Sequence, residues 1–155
     1  EYLYRLYLDN ELASNRFPVD GKLIRLSDIR VPMFVVGTEA DHVAPWKSVY
    51  KVDNLVRSDD FTFLLTAGGH NAGIVAGPVH PKRHYRMRTR RLADPHLAPQ
   101  DWMDEAPRFD GSWWPAWQQW LAAHSGARTK PPAMGAPAKG YKSIEAAPGR
   151  YVRQR

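Results

Sequence analysis

Residues 29–46, IRVPMFVVGTEADHVAPW, and residues 61–73, FTFLLTAGGHNAG, each run from apolar residues into a polar loop. The first run is β-branched and continuously apolar, and its Pro32 is admissible only near the start of a strand. The second reads as a strand over 61–66. Strands apolar on both faces fit a sheet covered on both sides, as parallel sheets are. Between them WKSVYKVDNLVR, 46–57, is amphipathic: Trp46, Val49, Tyr50, Val52 and Val56 share one helical face. Strand, helix, strand is the order of a parallel crossover unit. Two parallel strands of one such unit end at the same sheet edge, where ligands and catalytic groups of open α/β sheets collect. The loop after the first strand carries Asp41, and the loop after the second carries His70. The chain therefore reads as α/β, with Asp41 and His70 as its candidate site.

A carboxylate that accepts from one imidazole nitrogen fixes the tautomer and stabilises the imidazolium formed when the other nitrogen takes a proton. In hydrolase-type α/β sheets the chain order is nucleophile, acid, histidine, and here the acid precedes the histidine. No G-x-S-x-G occurs, and Ser48, Ser112 and Ser125 fall in segments that read as helix or helix cap. The cysteine count is 0, so the 155 residues hold neither a disulfide nor a cysteine nucleophile. Two other readings stand beside this one. Asp41 and His70 also suit solvated loop positions, and His42, adjacent to Asp41, competes for any role.

Residues 1–13 read as a helix on the spacing of Leu3, Leu6 and Tyr7. NRFPVDGK, 15–22, is a turn-rich connection. The segment 76–111, rich in Pro, Arg and Asp, reads as loop with short helical pieces. GSWWPAWQQWLAAHSG, 111–126, reads as a helix with Ser112 as cap, Pro115 in the first turn and Gly126 at the C-terminal cap. Its stripe of Trp113, Trp117, Trp120 and Leu121 should pack on the sheet. From Lys130 the chain lacks periodicity and should lie extended, held by Tyr141, Ile144 and Tyr151. No internal repeat is present, and no apolar stretch has the length of a membrane span.

Lys and Arg number 22 against 16 acidic residues, and the excess is local to KRHYRMRTRR, 82–91. Such a run fits either solvated surface or contact with an anionic partner. No nucleic-acid-binding motif accompanies it. His80, His84 and His96 lack tight ligand spacing, so no metal is expected. Trp46 and Trp102 are candidates for lining an acyl pocket, beside the simpler reading as core. The opening EYLYRLYLDN lacks an initiator Met and a signal sequence, which reads as the interior of a longer protein.

ADHVAPW (40–46), GGHNAG (68–73), GSWWPAWQQWLAAHSG (111–126) and APGRYV (147–152), with YLDNEL (7–12) and residues 28–50, resemble the C-terminal region of polyhydroxyalkanoate (poly-3-hydroxybutyrate) synthases over nearly all of the chain. The resemblance implies the C-terminal part of an α/β-hydrolase fold: 1–16 as the end of a cap region, 17–129 as core, 130–155 as tail. It implies an acyltransferase that polymerises hydroxyacyl-coenzyme A into polyester, with no further cofactor. By motif His70 would activate a cysteine carried in a G-x-C-x-G box, and Asp41 would assist. That cysteine lies outside these residues, so this chain alone should be inactive.

Implied partners are the growing polyester, the remainder of the same protein and a second copy in a homodimer, without nucleic acid. The implied location is cytoplasmic, at the polyester granule surface. Gly68 stands where the family carries serine, and Asn71 where it carries an apolar residue. The arginine run is heavier than the family pattern and would touch the coenzyme A phosphates or nothing. The alternatives are a non-catalytic interaction module with half the fold, or a fragment of a polyester depolymerase.

Overall fold

The computed structural model describes residues 1–80 and 82–154. Glu1–His124 form one compact unit, and the residues from Ser125 onward form a second.

The first unit opens on a short widened helical stretch, Leu3–Leu8, rather than a helix through residue 13. The amide of Asp9 closes it on Tyr4 O, 2.8 Å away, and Asn10, at φ 46°, turns the chain out. Phe17–Val19 (β1) and Lys22–Ile24 (β2) pair antiparallel. Asp20 and Gly21 join them at φ 48° and 76°, the positive-φ pair that a two-residue hairpin turn demands.

The main sheet has the order β3-β4-β5-β6, from Met33–Thr38 (β3), Phe61–Thr66 (β4), His84–Arg90 (β5) and Arg108–Asp110 (β6). β3 and β4 are parallel with Met33 opposite Phe61 and Thr38 opposite Thr66. β5 and β6 join antiparallel, so the sheet is mixed and the fold is mixed α/β.

Side chains alternate between the two faces, as the period of a strand requires. Phe61, Phe63 and Leu65 meet Tyr50 of α1 (Trp46–Tyr50) and Trp102 of α2 (Pro99–Glu105) on one face. Leu64, Phe34 and Val36 meet Trp113 on the other, at the start of α3 (Trp114–Ala123). Every residue of β4 is buried.

The amphipathic segment 46–57 is helical only in part: after α1 it tightens into a single 3₁₀ turn, Lys51–Asn54. Trp102 belongs to the core and Trp46 packs against it, half-buried. Their rings lie 6.1 Å apart, Trp102 is 3% exposed, and the cavity beside Trp102 measures about 10 Å³, room for one water. On α3, Trp113 is buried while Trp117 and Leu121 are each about two-fifths exposed, so the packed part of the stripe is narrower than its spacing suggests. The helix ends at Ala123, before Gly126.

The basic run is the main departure from the sequence reading. Residues 84–90 are not loop but β5, a strand inside the sheet. Tyr85 and Met87 pack toward α3, while the alternate arginines face the other way and are each matched. Arg86 donates to Ala106 O at 2.7 Å, Arg88 pairs with Glu105, and Arg90 Nε donates to Asp53 Oδ1 at 2.7 Å. Asp53, with a side chain 1% exposed, also takes His96 Nδ1 at 2.7 Å. Arg91 pairs with Asp60 at 2.9 Å. A buried carboxylate needs such partners, and Asp53 has them in Arg90 and His96, whereas the pairs of Arg88 and Arg91 lie in part at the surface.

In the second unit, residues 125–154 form turns, not a uniformly extended tail: Ala136 bridges Tyr141, and Pro137–Lys139 and Tyr151–Arg153 are single helical turns. Among the described residues no helix is long and apolar enough to cross a membrane.

Candidate active site

The parallel register brings Thr38 and Thr66 side by side. Pairing continues one step further, with Glu39 N–H donating to Thr66 O and Ala40 N–H to Gly68 O, both at 3.0 Å. The two loops therefore leave the sheet tied together. Asp41 and His70 meet there: His70 Nδ1 lies 2.9 Å from Asp41 Oδ2 and 3.2 Å from Oδ1. An ionised carboxylate only accepts, so Nδ1 carries the proton and Nε2 of the neutral ring carries the lone pair. The Asp41 side chain is 8% exposed and that of His70 47%. Among the described residues no hydrogen bond is made by Nε2, and the side chain that carries it is about half exposed.

Asp41 is fully engaged. Oδ1 accepts from the N–H groups of Ala44 at 2.8 Å and Val43 at 2.9 Å. Oδ2 accepts from Thr38 Oγ1 at 3.2 Å as well as from His70. The Ala44 N–H is the largest influence holding the carboxyl far below the ordinary carboxylate range; burial opposes it, and the contacts with His70, Val43 and Thr38 reinforce it. A carboxyl held low stabilises the fold above its ordinary value of 3.8, and that contribution is lost as pH falls through the folded value. Denaturant titrations at stepped pH check this. Wild type should exceed Asp41→Asn in stability at neutral pH, and the gap should close as the pH drops below about 4. A gap that persists unchanged into acid would contradict the assignment.

Two glycines give the histidine loop its shape. Gly68 sits at φ 112°, and a Cβ there would lie 2.7 Å from Arg83 Nη1 and 3.0 Å from the Gly73 nitrogen. A serine here would be strained on this backbone, and with glycine the loop delivers His70 to Asp41. At Gly73 a Cβ would lie 2.5 Å from Thr38 Cγ2, and Thr38 is itself buried and bonded to Asp41. Gly73→Ala should therefore cost roughly 1–3 kcal/mol through overpacking. Adding Thr38→Ser, which deletes the nearest clashing atom and keeps the hydroxyl, should recover part of it, because Thr38 Cβ at 2.9 Å remains. Thermal melts of the single and double variants check the pair, and equal losses in both would refute the contact.

His42 is exposed, and the structure brings His70, not His42, to the carboxylate. His84 pairs with Glu39 at 3.2 Å and His96 with Asp53; among the described residues no three metal-ligating side chains converge. Thr38 escaped the sequence reading. Its signal was a hydroxyl at the strand end three residues before an acid, a spacing that lets a threonine bond the carboxylate across a turn.

Comparison with known proteins bears on this geometry. No family model matches the chain. It is 38% identical over 154 residues to the poly(3-hydroxyalkanoate) polymerase subunit PhaC of Rhizobium etli, covering 99% of this chain and 23% of that protein. It is 39% identical over 153 residues to the subunit of the same name from Cupriavidus necator, covering 98% and 25%. The chain is a homologue of part of the poly(3-hydroxyalkanoate) polymerases. A third relative, poly(3-hydroxyalkanoate) polymerase 2 of Ectopseudomonas oleovorans, is 36% identical over 136 residues, covering 86% and 23%. The chain spans about a quarter of the length of these polymerases.

Proposed function

We propose that this chain is the C-terminal catalytic part of a polyhydroxyalkanoate synthase, an α/β-hydrolase-type acyltransferase acting on hydroxyacyl-coenzyme A. The observation that carries the reading is the 2.9 Å contact between His70 Nδ1 and Asp41 Oδ2 at the C-terminal edge of two parallel strands. The likeness to poly(3-hydroxyalkanoate) polymerases supports reading it as part of a polymerising acyl transfer. A cysteine thiol from outside these residues gives its proton to His70 Nε2. The thiolate attacks the substrate thioester carbon, and the C–S bond to coenzyme A breaks. The departing coenzyme A thiolate takes the proton back from Nε2. The hydroxyl of another acyl unit then loses its proton to Nε2 and attacks the enzyme thioester. A C–O bond forms, the C–S bond to the cysteine breaks, and the cysteine thiolate is reprotonated. Asp41 stabilises the imidazolium in both halves. The working protein is the full-length chain, dimeric and at the granule surface in the cytoplasm; this segment alone is inactive.

The test uses the complete reading frame supplied with hydroxybutyryl-coenzyme A, following coenzyme A release and polymer mass together. Both should rise in step, and Asp41→Asn should slow them about 10²-fold. Release of free hydroxy acid without polymer would make the protein a hydrolase. Normal polymer formation by Asp41→Asn would remove the dyad from the mechanism.

A further inference from the structure

From sequence, Ser112 reads as a helix cap and Trp113 as part of an apolar stripe, while Trp114 has no assigned role. In the fold each of these three consecutive side chains donates a hydrogen bond to one short turn. Trp113 Nε1–H reaches Gly73 O at 3.0 Å, Trp114 Nε1–H reaches Ile74 O at 2.9 Å, and Ser112 Oγ–H reaches Ala76 O. The same Ser112 oxygen accepts the Trp114 amide at 3.1 Å, so the hydroxyl is held from both sides. The recipient turn is the one His70 stands on. It is a single coil closed by Gly73 N–H to Gly69 O and Val75 N–H to Asn71 O, both 2.9 Å. A coil that short leaves its last carbonyls without helical partners, and the three donors take them up.

The other side of the turn is fixed too. Gly73 abuts Thr38 so closely that no Cβ fits between them, and Thr38 donates to Asp41 Oδ2 at 3.2 Å. The turn is thus held between the indoles and the strand end that orients the acid. Trp113 is anchored in turn, 5% exposed, with its ring stacked 6.5 Å from Phe34 of β3. Packing alone would be met by phenylalanine. The indole N–H adds direction, because a buried donor must be matched.

We propose that Ser112, Trp113 and Trp114 are positioning residues that lock the turn 70–76 and thereby hold His70 against Asp41. The proposal rests on the reading of His70 as the proton-transfer residue.

The experiment is run on the complete reading frame. Trp113→Phe, Trp114→Phe and their combination are made with Asp41 intact and again with Asp41→Ala; His70→Ala is run alongside. Coenzyme A release gives kcat and KM, and hydrogen-exchange mass spectrometry reads the amides of 69–76. With Asp41 present the combined variant should lose about 10–100-fold in kcat, as small misplacements of a catalytic group do. KM should hold within about twofold, because the loss falls on the chemical step. Amides of 69–76 should exchange faster. With Asp41→Ala the same pair should cost less than about threefold, because the contact it protects is already gone.

Equal losses in both backgrounds, or unchanged exchange in 69–76, would overturn the proposal. Where Trp113→Phe fails to fold, the partly exposed Trp114→Phe makes the same comparison with one bond. Full activity in His70→Ala would sink the parent reading and the positioning role with it. Lost activity there with equal Trp losses in both backgrounds would sink the positioning role alone.

Discussion

Replacing His70 with alanine in the complete chain is expected to lower coenzyme A release about 10²–10⁴-fold and to leave the fold intact. The two halves of that expectation come from different observations. The imidazole has one nitrogen fixed by Asp41 and a side chain open to solvent, so under the proposed function its removal takes away the base itself. Its side chain is about half exposed, so little buried area goes with it. His70→Gln should fail as well: an amide can still donate to Asp41, but it offers no basic nitrogen. Single-turnover acylation paired with a thermal melt separates the two effects. A rate near wild type in His70→Ala would show that another group moves the proton.

The largest expected loss of stability is at Phe63. This ring is 0% exposed and lies edge-on to Trp102 and Tyr50, with centroids 4.9 Å away in both cases. Gly37 of the neighbouring strand packs against its tip, since a Cβ there would stand 3.1 Å from Phe63 Cζ. The aromatic rings of Tyr50, Trp46 and Trp102 beside it collapse poorly into a void, so Phe63→Ala should cost about 3–5 kcal/mol. That is a large share of the 5–15 kcal/mol typical of a folded protein. Phe63→Leu fills most of the space and should cost markedly less. Denaturant midpoints of the complete chain check both, and a loss below about 1 kcal/mol for alanine would mean that β4 does not carry the core. The same strand delivers His70, so the alanine variant should also lose activity at temperatures where its fold loosens.

Much of this architecture was legible in the chain. The β-branched run ending at Thr38 and the apolar run ending at Thr66 specify strands because both of their faces can be buried. An amphipathic connection between them specifies parallel pairing, and parallel pairing puts Asp41 and His70 on one edge. The basic segment was not legible. Its period of two, with Tyr85 and Met87 alternating against Arg86, Arg88 and Arg90, is a strand pattern. Three arginines on one face read as solvent-exposed until their partners are known. Those partners, Ala106 O, Glu105 and Asp53, lie 17 to 37 residues from them in sequence, and local pattern carries no information at that range.

The sequence by itself determined the two parallel strands, the sheet edge at which they end and the pair of residue types waiting there. Those follow from burial and from the geometry of a crossover, both of which are local. Tertiary structure decided the rest. It chose His70 over His42, because the bond between Ala40 and Gly68 aligns the two loops at one register. It fixed the tautomer, because Asp41 has four donors converging on two oxygens. And it made donors of Ser112, Trp113 and Trp114, of which the sequence had offered only a cap and one member of an apolar stripe, because a hydrogen bond 36 to 40 residues away in sequence exists only once the chain has brought its acceptor into reach.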